Sequence, residues 1–468
     1  MAPERVRFAP SPTGMFHVGS ARTALYNWLV ARQTHGSFLL RIDDTDTERN
    51  QEAWVDGIFE AMTWLGLHWD EGPIRQSTRL AHYLEAARRL ENQGDAYWCD
   101  CTREALRARK RPGDPPGYDG FCRTRGLGPG PGRALRFRVP DREVVVKDLV
   151  RGSVRFPGGS IEDFVIVKST GQPLYVLANV IDDVDFAITL VLRAEEHLPT
   201  TPKAILLHEA LGTPTPRFAH LSFLVNAERR KLSKRRDRVA VEDYRAMGIL
   251  PWALLNYVAL LGWSPGTDEE FFSRDELVER FDLGRMSHSP AFFDERKLLA
   301  FNQHYLATIP PEELVELGRE HFEAVGALND AASRERLVRI LPLVAPRVHT
   351  LAEAAAMASF LFSEPSLPVE ELEALNPAAS GWLDAARRSL ANLPTFDAAS
   401  IEASLRTIAA ELGTSLRKLQ APIRIAATGS RVGPPLFESL ELLGKERTLA
   451  RLDALRERMA AQNPAATQ

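Results

Sequence analysis

Near the N-terminus a short apolar run, Val6-Arg7-Phe8-Ala9, is followed by a turn-rich segment, Ser11-Pro12-Thr13-Gly14-Met15-Phe16-His17-Val18-Gly19-Ser20. After it, apolar side chains recur at Ala21, Leu25, Trp28 and Leu29. The run predicts a buried strand that Pro10 and Pro12 end, and the period predicts a helix. Gly36 stands where a helix C-cap is expected. Phe38-Leu39-Leu40-Arg41-Ile42 predicts a second strand, and Ile58, Phe59, Met62 and Leu65 a second helix closed by Gly66. Strand, helix, strand, helix is the grammar of a parallel, doubly wound sheet. In such a sheet ligands bind at the carboxyl edge of the strands, where His17 and Gly19 open the first helix. Unpaired amides and partial positive charge at a helix start favour a phosphate. His17 can add a hydrogen bond to a phosphate oxygen.

The alternation breaks near Ala96. From Cys99 to Gly159 the chain is rich in Gly, Pro and Arg, with short strand-like runs at Arg136–Val139 and Val144–Val146, and reads as an inserted α+β module. The first pattern resumes near Tyr175, with a strand at Ile188–Arg193, a helix at Thr201–Leu211 and a strand at Leu221–Val225. From Val241 onward helices dominate. Leu351, Met357 and Leu361 share one helical segment, and Leu449, Leu452, Leu455 and Met459 form a late apolar stripe. A chain of 468 residues exceeds what one core usually supports, so several domains are expected. The divisions fall at 1–96, 97–174, 175–240, 241–308, 309–380 and 381–468.

The net charge of −4 hides a local excess. Arg229, Arg230, Lys231, Lys234, Arg235, Arg236 and Arg238 crowd one loop. Nucleic-acid contact needs a basic face, not a basic average. No apolar run approaches the ~18 residues of a membrane span, and nothing at the N-terminus resembles a signal-peptide core, so a cytoplasmic protein is expected. Three cysteines, an odd number, argue against a disulfide framework.

His17-Val18-Gly19-Ser20 and Lys231-Leu232-Ser233-Lys234-Arg235 resemble the paired "HIGH" and "KMSKS" signatures of class I aminoacyl-tRNA synthetases. The resemblance runs on through Phe8–Arg32, Arg41-Ile42-Asp43-Asp44-Thr45-Asp46, Tyr175–Asp183, Asn256–Ser264, Ser287–Leu298 and Leu442–Arg447 to bacterial glutamyl-tRNA synthetase. It implies a Rossmann-type parallel sheet with an inserted α+β connective module, followed by all-α anticodon-binding domains. It also implies two-step ligation: L-glutamate and Mg²⁺-ATP give glutamyl adenylate, and the terminal ribose of tRNA-Glu takes the glutamyl group. No enzyme nucleophile is needed, and tRNA is expected to bind before activation begins.

The residues fit that chemistry. Glutamate carries two carboxylates and one ammonium, so a pocket needs two cationic clamps and one anion. Arg7 and Arg193 sit on the active edge and can each take a carboxylate; Asp43 supplies the anion. The resemblance adds Ser11, Tyr175 and Asn179. It assigns adenine and ribose contacts to Glu196 and the backbone near Leu224, with His17, Gly19, Lys231 and Lys234 on the phosphates. It assigns anticodon reading to Arg347 and Arg424. Extra negative charge in the adenylation transition state makes His17, Lys231 and Lys234 the expected catalytic groups.

The chain departs from the family pattern in several places. Ser20 replaces a second histidine, Asp43 stands where many relatives have Glu, and Ala194-Glu195-Glu196 replaces a commoner Gly-Glu-Asp. Cys99, Cys101 and Cys122 resemble a zinc site of some relatives, but Thr124 stands at the usual histidine position. Tyr118 lies at the spacing a related glutamyl-queuosine enzyme uses. Structural zinc on these four residues and reduced, unliganded thiols both remain open. The rivals are that queuosine enzyme, disfavoured by the long helical region after Tyr305; glutaminyl-tRNA synthetase, whose anticodon region is β-rich; and a non-catalytic tRNA-binding sensor, disfavoured because His17, Lys231 and Lys234 are all present. An enzyme that also charges tRNA-Gln stays open. A monomer is expected from the family.

Overall fold

The computed structural model describes residues 2–46, 48–111, 117–233, 236–373, 375–376 and 378–462. They gather into two compact units, one of residues 1–243 with 254–294, the other of 244–253 with 295–468.

The first unit starts as the alternation predicts. Strand β1 (Arg5–Phe8) leads into helix α1 (Val18–Gln33), then β2 (Ser37–Ile42) and helix α2 (Glu52–Trp64). β1 and β2 pair in parallel, and β2 also pairs in parallel with β3 (Glu71–Arg75). β3 has no sequence signal, because Gly72 and Pro73 interrupt it. Helix α3 (Leu80–Asn92) follows, burying Tyr83, Ala87 and Leu90.

α1 is buried nearly all round: Ala21, Ala24, Leu25 and Leu29 are sealed, and so are Arg22 and Asn27. A helix apolar on most sides belongs inside a domain. Its C-terminus corrects one expectation. Gly36 is not the left-handed cap; His35 takes that conformation at φ 51°, and the Gly36 amide donates to the Ala31 carbonyl. A Cβ on Gly36 would fall 1.9 Å from the Glu4 carbonyl oxygen, so glycine is needed there for close backbone approach.

The insertion begins with β4 (Ala96–Cys99) and helix α4 (Arg103–Arg109), then β5 (Ala134–Phe137), β6 (Val144–Asp148), β7 (Gly152–Phe156) and β8 (Val165–Val167). β4, β5 and β8 form an antiparallel sheet. The β6–β7 hairpin does something else. After helix α5 (Tyr175–Asp185), β9 (Leu190–Ala194) and helix α6 (Thr201–Leu211), strand β10 (Arg217–Leu221) pairs in parallel with both β9 and β6, giving the order β7-β6-β10-β9. Part of the insertion therefore extends the sheet that β9 and β10 form. β9 lies beside β1, where the Thr189 amide donates to the Arg5 carbonyl.

The strand expected at 221–225 divides. β10 stops at Leu221, and β11 (Leu224–Val225) pairs instead with β12 (Ala291–Phe292).

The second unit is helical, as its apolar periods predict. A single core runs from Leu314 and Phe322 through Leu337, Ile340 and Leu361 to Leu383, Leu405, Ile423, Leu440 and Leu455, so residues on both sides of position 380 share it. The apolar run at 351–361 is a helix, Leu351–Ala358, tightened into a 3₁₀ turn at Ser359–Leu361. Asn302, fully buried, accepts from the Leu250 amide and donates to the Gly248 and His349 carbonyls, satisfying three backbone groups that no helix ladder serves.

Candidate active site

One cavity of about 910 Å³ opens in the first unit at the carboxyl ends of β1 and β9. Arg7, Ser11, His17, Gly19, Asp43, Tyr175, Asn179, Arg193, Glu196, Leu224 and Lys231 all line it. Lys234 lies outside the described residues. Segments far apart in sequence thus share one chamber.

At one end of it, His17 is the N-cap of α1. Its Nδ1 accepts from the Ser20 amide at 3.1 Å, so in the neutral ring the proton sits on Nε2, 3.3 Å from the Ser20 hydroxyl. The Val18 amide donates to the Val239 carbonyl, whereas the Gly19 amide has no acceptor among the described residues. A Cβ on Gly19 would stand 3.0 Å from His17 Nδ1, so a side chain there would press on the ring. His17 also bridges Ala240, and the Val241 amide donates to the Phe16 carbonyl. The backbone that follows the basic loop therefore closes onto the start of α1.

The base of that loop is tied. Leu232 N–H donates to the Leu224 carbonyl, and Val225 bridges Lys231. Asp237 takes the Ser233 amide at 2.9 Å and the Asn226 side chain at 3.1 Å. Lys231 pairs with Glu196 and lies 4.4 Å over the Phe223 ring. Burial works against the Glu196 charge, but Lys231 holds that carboxyl below its ordinary range. Glu195, beside it, accepts from the Phe223 amide at 2.8 Å and pairs with Arg151.

At the opposite end the charges are buried. One oxygen of Asp183 takes Arg7 Nε at 3.1 Å and Arg41 Nη1 at 2.9 Å. Arg41, 2 % exposed, also forks onto Asp43 at 2.7 and 3.3 Å. Asp182 receives Arg79, Gln76 and Tyr83. Burial pushes the Asp43 carboxyl up despite Arg41, whereas Asp183, opposed by the same burial, is held down by Arg7 and Arg41. Asn179 accepts from Gln76 at 2.9 Å, and Tyr175 stands half-exposed at the start of α5. Arg7 thus joins an ion network and still lines the cavity, and the charge of Asp43 is already shared with Arg41.

Arg193 differs. Among the described residues no carboxylate bonds to it: Nη2 donates to the Thr201 hydroxyl at 2.9 Å and Nε to His220 Nε2 at 3.3 Å. Burial, then neighbouring Arg7, lowers its pKa to about 10. A partly buried cation held only by neutral acceptors, at the wall of an open cavity, is suited to take an anion.

Several residues here escape sequence reasoning. Arg41 and Asp182-Asp183 lie inside motifs that carry the resemblance, but nothing local marks them as a network. Asp148 and His220 are joined only by the β6–β10 pairing.

In the insertion, the sulfurs of Cys99, Cys101 and Cys122 lie within 4.8 Å of one another. Tyr118 Oη is 3.6 Å from Cys99 Sγ and accepts from the Cys122 amide at 2.7 Å. Arg109 and Arg125 donate to the sulfurs of Cys101 and Cys122. Three sulfurs and a phenol oxygen match the donor number a structural zinc requires.

In the helical unit, Arg347 is exposed at the end of a 3₁₀ turn, its Nη1 on the Leu343 carbonyl at 2.7 Å. Arg424 donates to the Pro434 carbonyl. Burial lowers the Arg424 pKa, and the charge of Arg347 lowers it further, so the two predicted anticodon arginines lie within each other's field.

Residues 4–300 match the family model of class I tRNA synthetases (E and Q), catalytic domain, and residues 313–456 match an anticodon-binding domain. The chain belongs to the class I glutamyl and glutaminyl tRNA synthetase family. It is 49 % identical over 467 residues to the glutamate–tRNA ligase of Salinispora arenicola, covering 97 % of this chain and 99 % of that one. The glutamate–tRNA ligase of Thermobifida fusca is 48 % identical, with 98 % of each chain covered. A crystal structure of a glutamate tRNA ligase from Elizabethkingia meningosepticum, in complex with its amino acid, superposes with a TM-score of 0.85 at 32 % identity, over 98 % of this chain and all of that one. Among the described residues no helix is long and apolar enough to cross a membrane.

Proposed function

We propose that this chain is a glutamate–tRNA ligase: it activates L-glutamate with Mg²⁺-ATP and passes the glutamyl group to the 3′ end of tRNA-Glu. The observation that carries the reading is the shared cavity, with a phosphate-type helix start at one end and Arg7, Arg193 and Asp43 at the other. In this reading Arg7 and Arg193 take the two carboxylates of glutamate. Asp43 faces the ammonium, with Ser11, Tyr175 and Asn179 completing the wall. An arginine–carboxylate contact at ~4 Å is worth roughly 4 kcal/mol at an effective dielectric of ~20, which favours the acid over its amide.

One α-carboxylate oxygen attacks the α-phosphorus of ATP, the bond to the bridging oxygen breaks, and pyrophosphate leaves. The start of α1 and His17 face the gathering negative charge, and Lys231 and Lys234 follow the departing phosphates. Glu196 and the backbone at Leu224 hold the adenosine. The ribose hydroxyl of the tRNA terminus then displaces AMP from the adenylate carbonyl. Mg²⁺ arrives with the nucleotide and screens its phosphates.

The finer assignments follow from the same reading. The insertion at 97–174 and the segment 241–308 take the acceptor end and stem of the tRNA, and 309–380 with 381–468 take the anticodon through Arg347 and Arg424. Cys99, Cys101, Cys122 and Tyr118 would hold a structural zinc that pins the insertion; elemental analysis after dialysis tests it, and under about a tenth of an equivalent ends it. We place the enzyme in the cytoplasm as a monomer.

The decisive experiment is pyrophosphate exchange with glutamate, run with and without tRNA. Exchange that requires tRNA is expected; none with glutamate plus tRNA removes the reading. Competitive charging of purified tRNA-Glu and tRNA-Gln reads selectivity, and Arg347→Ala is expected to raise the share of tRNA-Gln.

A further inference from the structure

Behind Arg193 stands a sealed chain of polar groups that none of the assignments above uses. His220, on β10, is 0 % exposed. Its Nδ1 lies 2.6 Å from Asp148 Oδ2 at the end of β6, and its Nε2 lies 3.0 Å from the Thr201 hydroxyl and 3.3 Å from Arg193 Nε. Asp148 is itself fixed: its other oxygen accepts the amides of Val150, Arg151 and His220 at 2.8–3.2 Å.

Donor and acceptor roles follow from this geometry. A carboxylate can only accept, so Nδ1 carries the proton and Nε2 presents its lone pair. The Thr201 hydroxyl donates to the His197 carbonyl at 3.1 Å, which leaves that lone pair to the guanidinium edge. Arg193 is thereby held at Nε by His220 and at Nη2 by Thr201, while among the described residues no protein acceptor takes Nη1. Without such struts the Arg193 guanidinium could turn toward Asp183, whose charge it already feels and which serves Arg7 and Arg41.

We propose that Asp148 and His220 are positioning residues for glutamate recognition: Asp148 fixes the imidazole tautomer, and His220 Nε2 aims the Arg193 guanidinium at the substrate carboxylate. The inference rests on the reading that Arg193 clamps glutamate. Neither residue touches substrate. The strut also gives the β6–β7 hairpin, part of the insertion, a defined job at the amino-acid end of the cavity. Burial favours the neutral ring over the charge that Asp148 would promote, which keeps the lone pair available to Arg193.

Two amides separate positioning from plain packing. In H220N the side chain can still donate to Asp148 but is too short to reach Arg193. In H220Q the amide oxygen falls near the old Nε2 and can accept from Arg193. Both delete a buried imidazole, so a merely structural role predicts similar defects in the two. Positioning predicts that H220N raises KM for glutamate about tenfold to a hundredfold, the usual worth of a hydrogen bond to a charged group, with kcat nearly kept. H220Q should return KM for glutamate to within about threefold of the parent, and KM for ATP should stay within about twofold in both.

Equal glutamate KM values in the two variants, or ATP and glutamate KM rising in step, would overturn the proposal. If H220N fails to fold, D148N carries the test: it keeps the imidazole but frees its tautomer, and an unchanged glutamate KM would sink the idea equally. R193Q separates the two levels. If it raises the glutamate KM while H220N does not, the clamp stands and the strut falls. If R193Q leaves that KM unchanged, Arg193 is not the clamp, and both fall.

Discussion

The two ends of the cavity hold their charges in opposite ways. At the end we assign to glutamate, Arg7, Arg41, Asp182 and Asp183 are all buried, and each is paired with an opposite charge. At the end we assign to the nucleotide, Lys231 and Glu196 are about half exposed, and the helix start offers backbone amides rather than fixed side-chain charge. The contrast matches the two tasks. Telling an acid from its amide needs charges that do not move, because a flexible arginine would accept either. Following phosphates through a reaction needs charges that do move.

The largest effect should therefore come from the buried end. Arg41 contacts Asp43 and Asp183 at once and lies near Asp182. Removing one member of a buried ionic network leaves uncompensated charge and typically costs 3–5 kcal/mol. Arg41→Met should lower stability by about that much in urea unfolding, and glutamate binding with it. A variant as stable as the parent would mean that the network is not pre-arranged.

Lys234→Ala should spare stability and strike catalysis. A preorganised donor to transition-state charge is worth about 3–4 kcal/mol, a loss of a few hundredfold in the exchange rate. The fall should appear in kcat, with KM for glutamate little changed. A rise in glutamate KM instead would erase the distinction between the two ends.

How much of this the chain reveals before folding depends on where each partner sits. The helix start at His17, the glycine at 19 and the basic loop are local features, and each falls in the cavity or at its edge. The alternation that fixes β1, α1, β2 and α2 is equally local. The buried network is not local: Arg41, Asp183 and Arg7 come together only because β1 and β2 pair and α5 lies behind them. Asp148 lies even further from view, inside an insertion that reads as a separate module until β6 pairs with β10. β3 is hidden for a different reason, since Gly72 and Pro73 remove the alternating pattern that marks a strand.

Acid should weaken the glutamate end first. Burial depresses His197 to about 4, aided by nearby Arg193, and depresses His208 and His220 as well. In the unfolded chain such rings titrate near 6.5. Between those values the unfolded state binds more protons, so stability is full above about 6.5 and is lost as pH falls toward 4. Melting temperature should drop across that window, and H197N should flatten the slope. An unchanged slope in H197N would mean that His197 is solvated.

The smallest effect tests the exposed end. Glu196 and Lys231 form an ion pair open to water, and such pairs contribute under about 1 kcal/mol. Glu196→Gln should leave urea unfolding within that range while raising KM for ATP several-fold, because Lys231 loses the partner that holds it near the nucleotide. The two readouts must separate here in the sense opposite to Arg41→Met, where stability carries the loss. If Glu196→Gln unfolded the protein as readily, the end we assign to the nucleotide would be as rigidly built as the end we assign to glutamate.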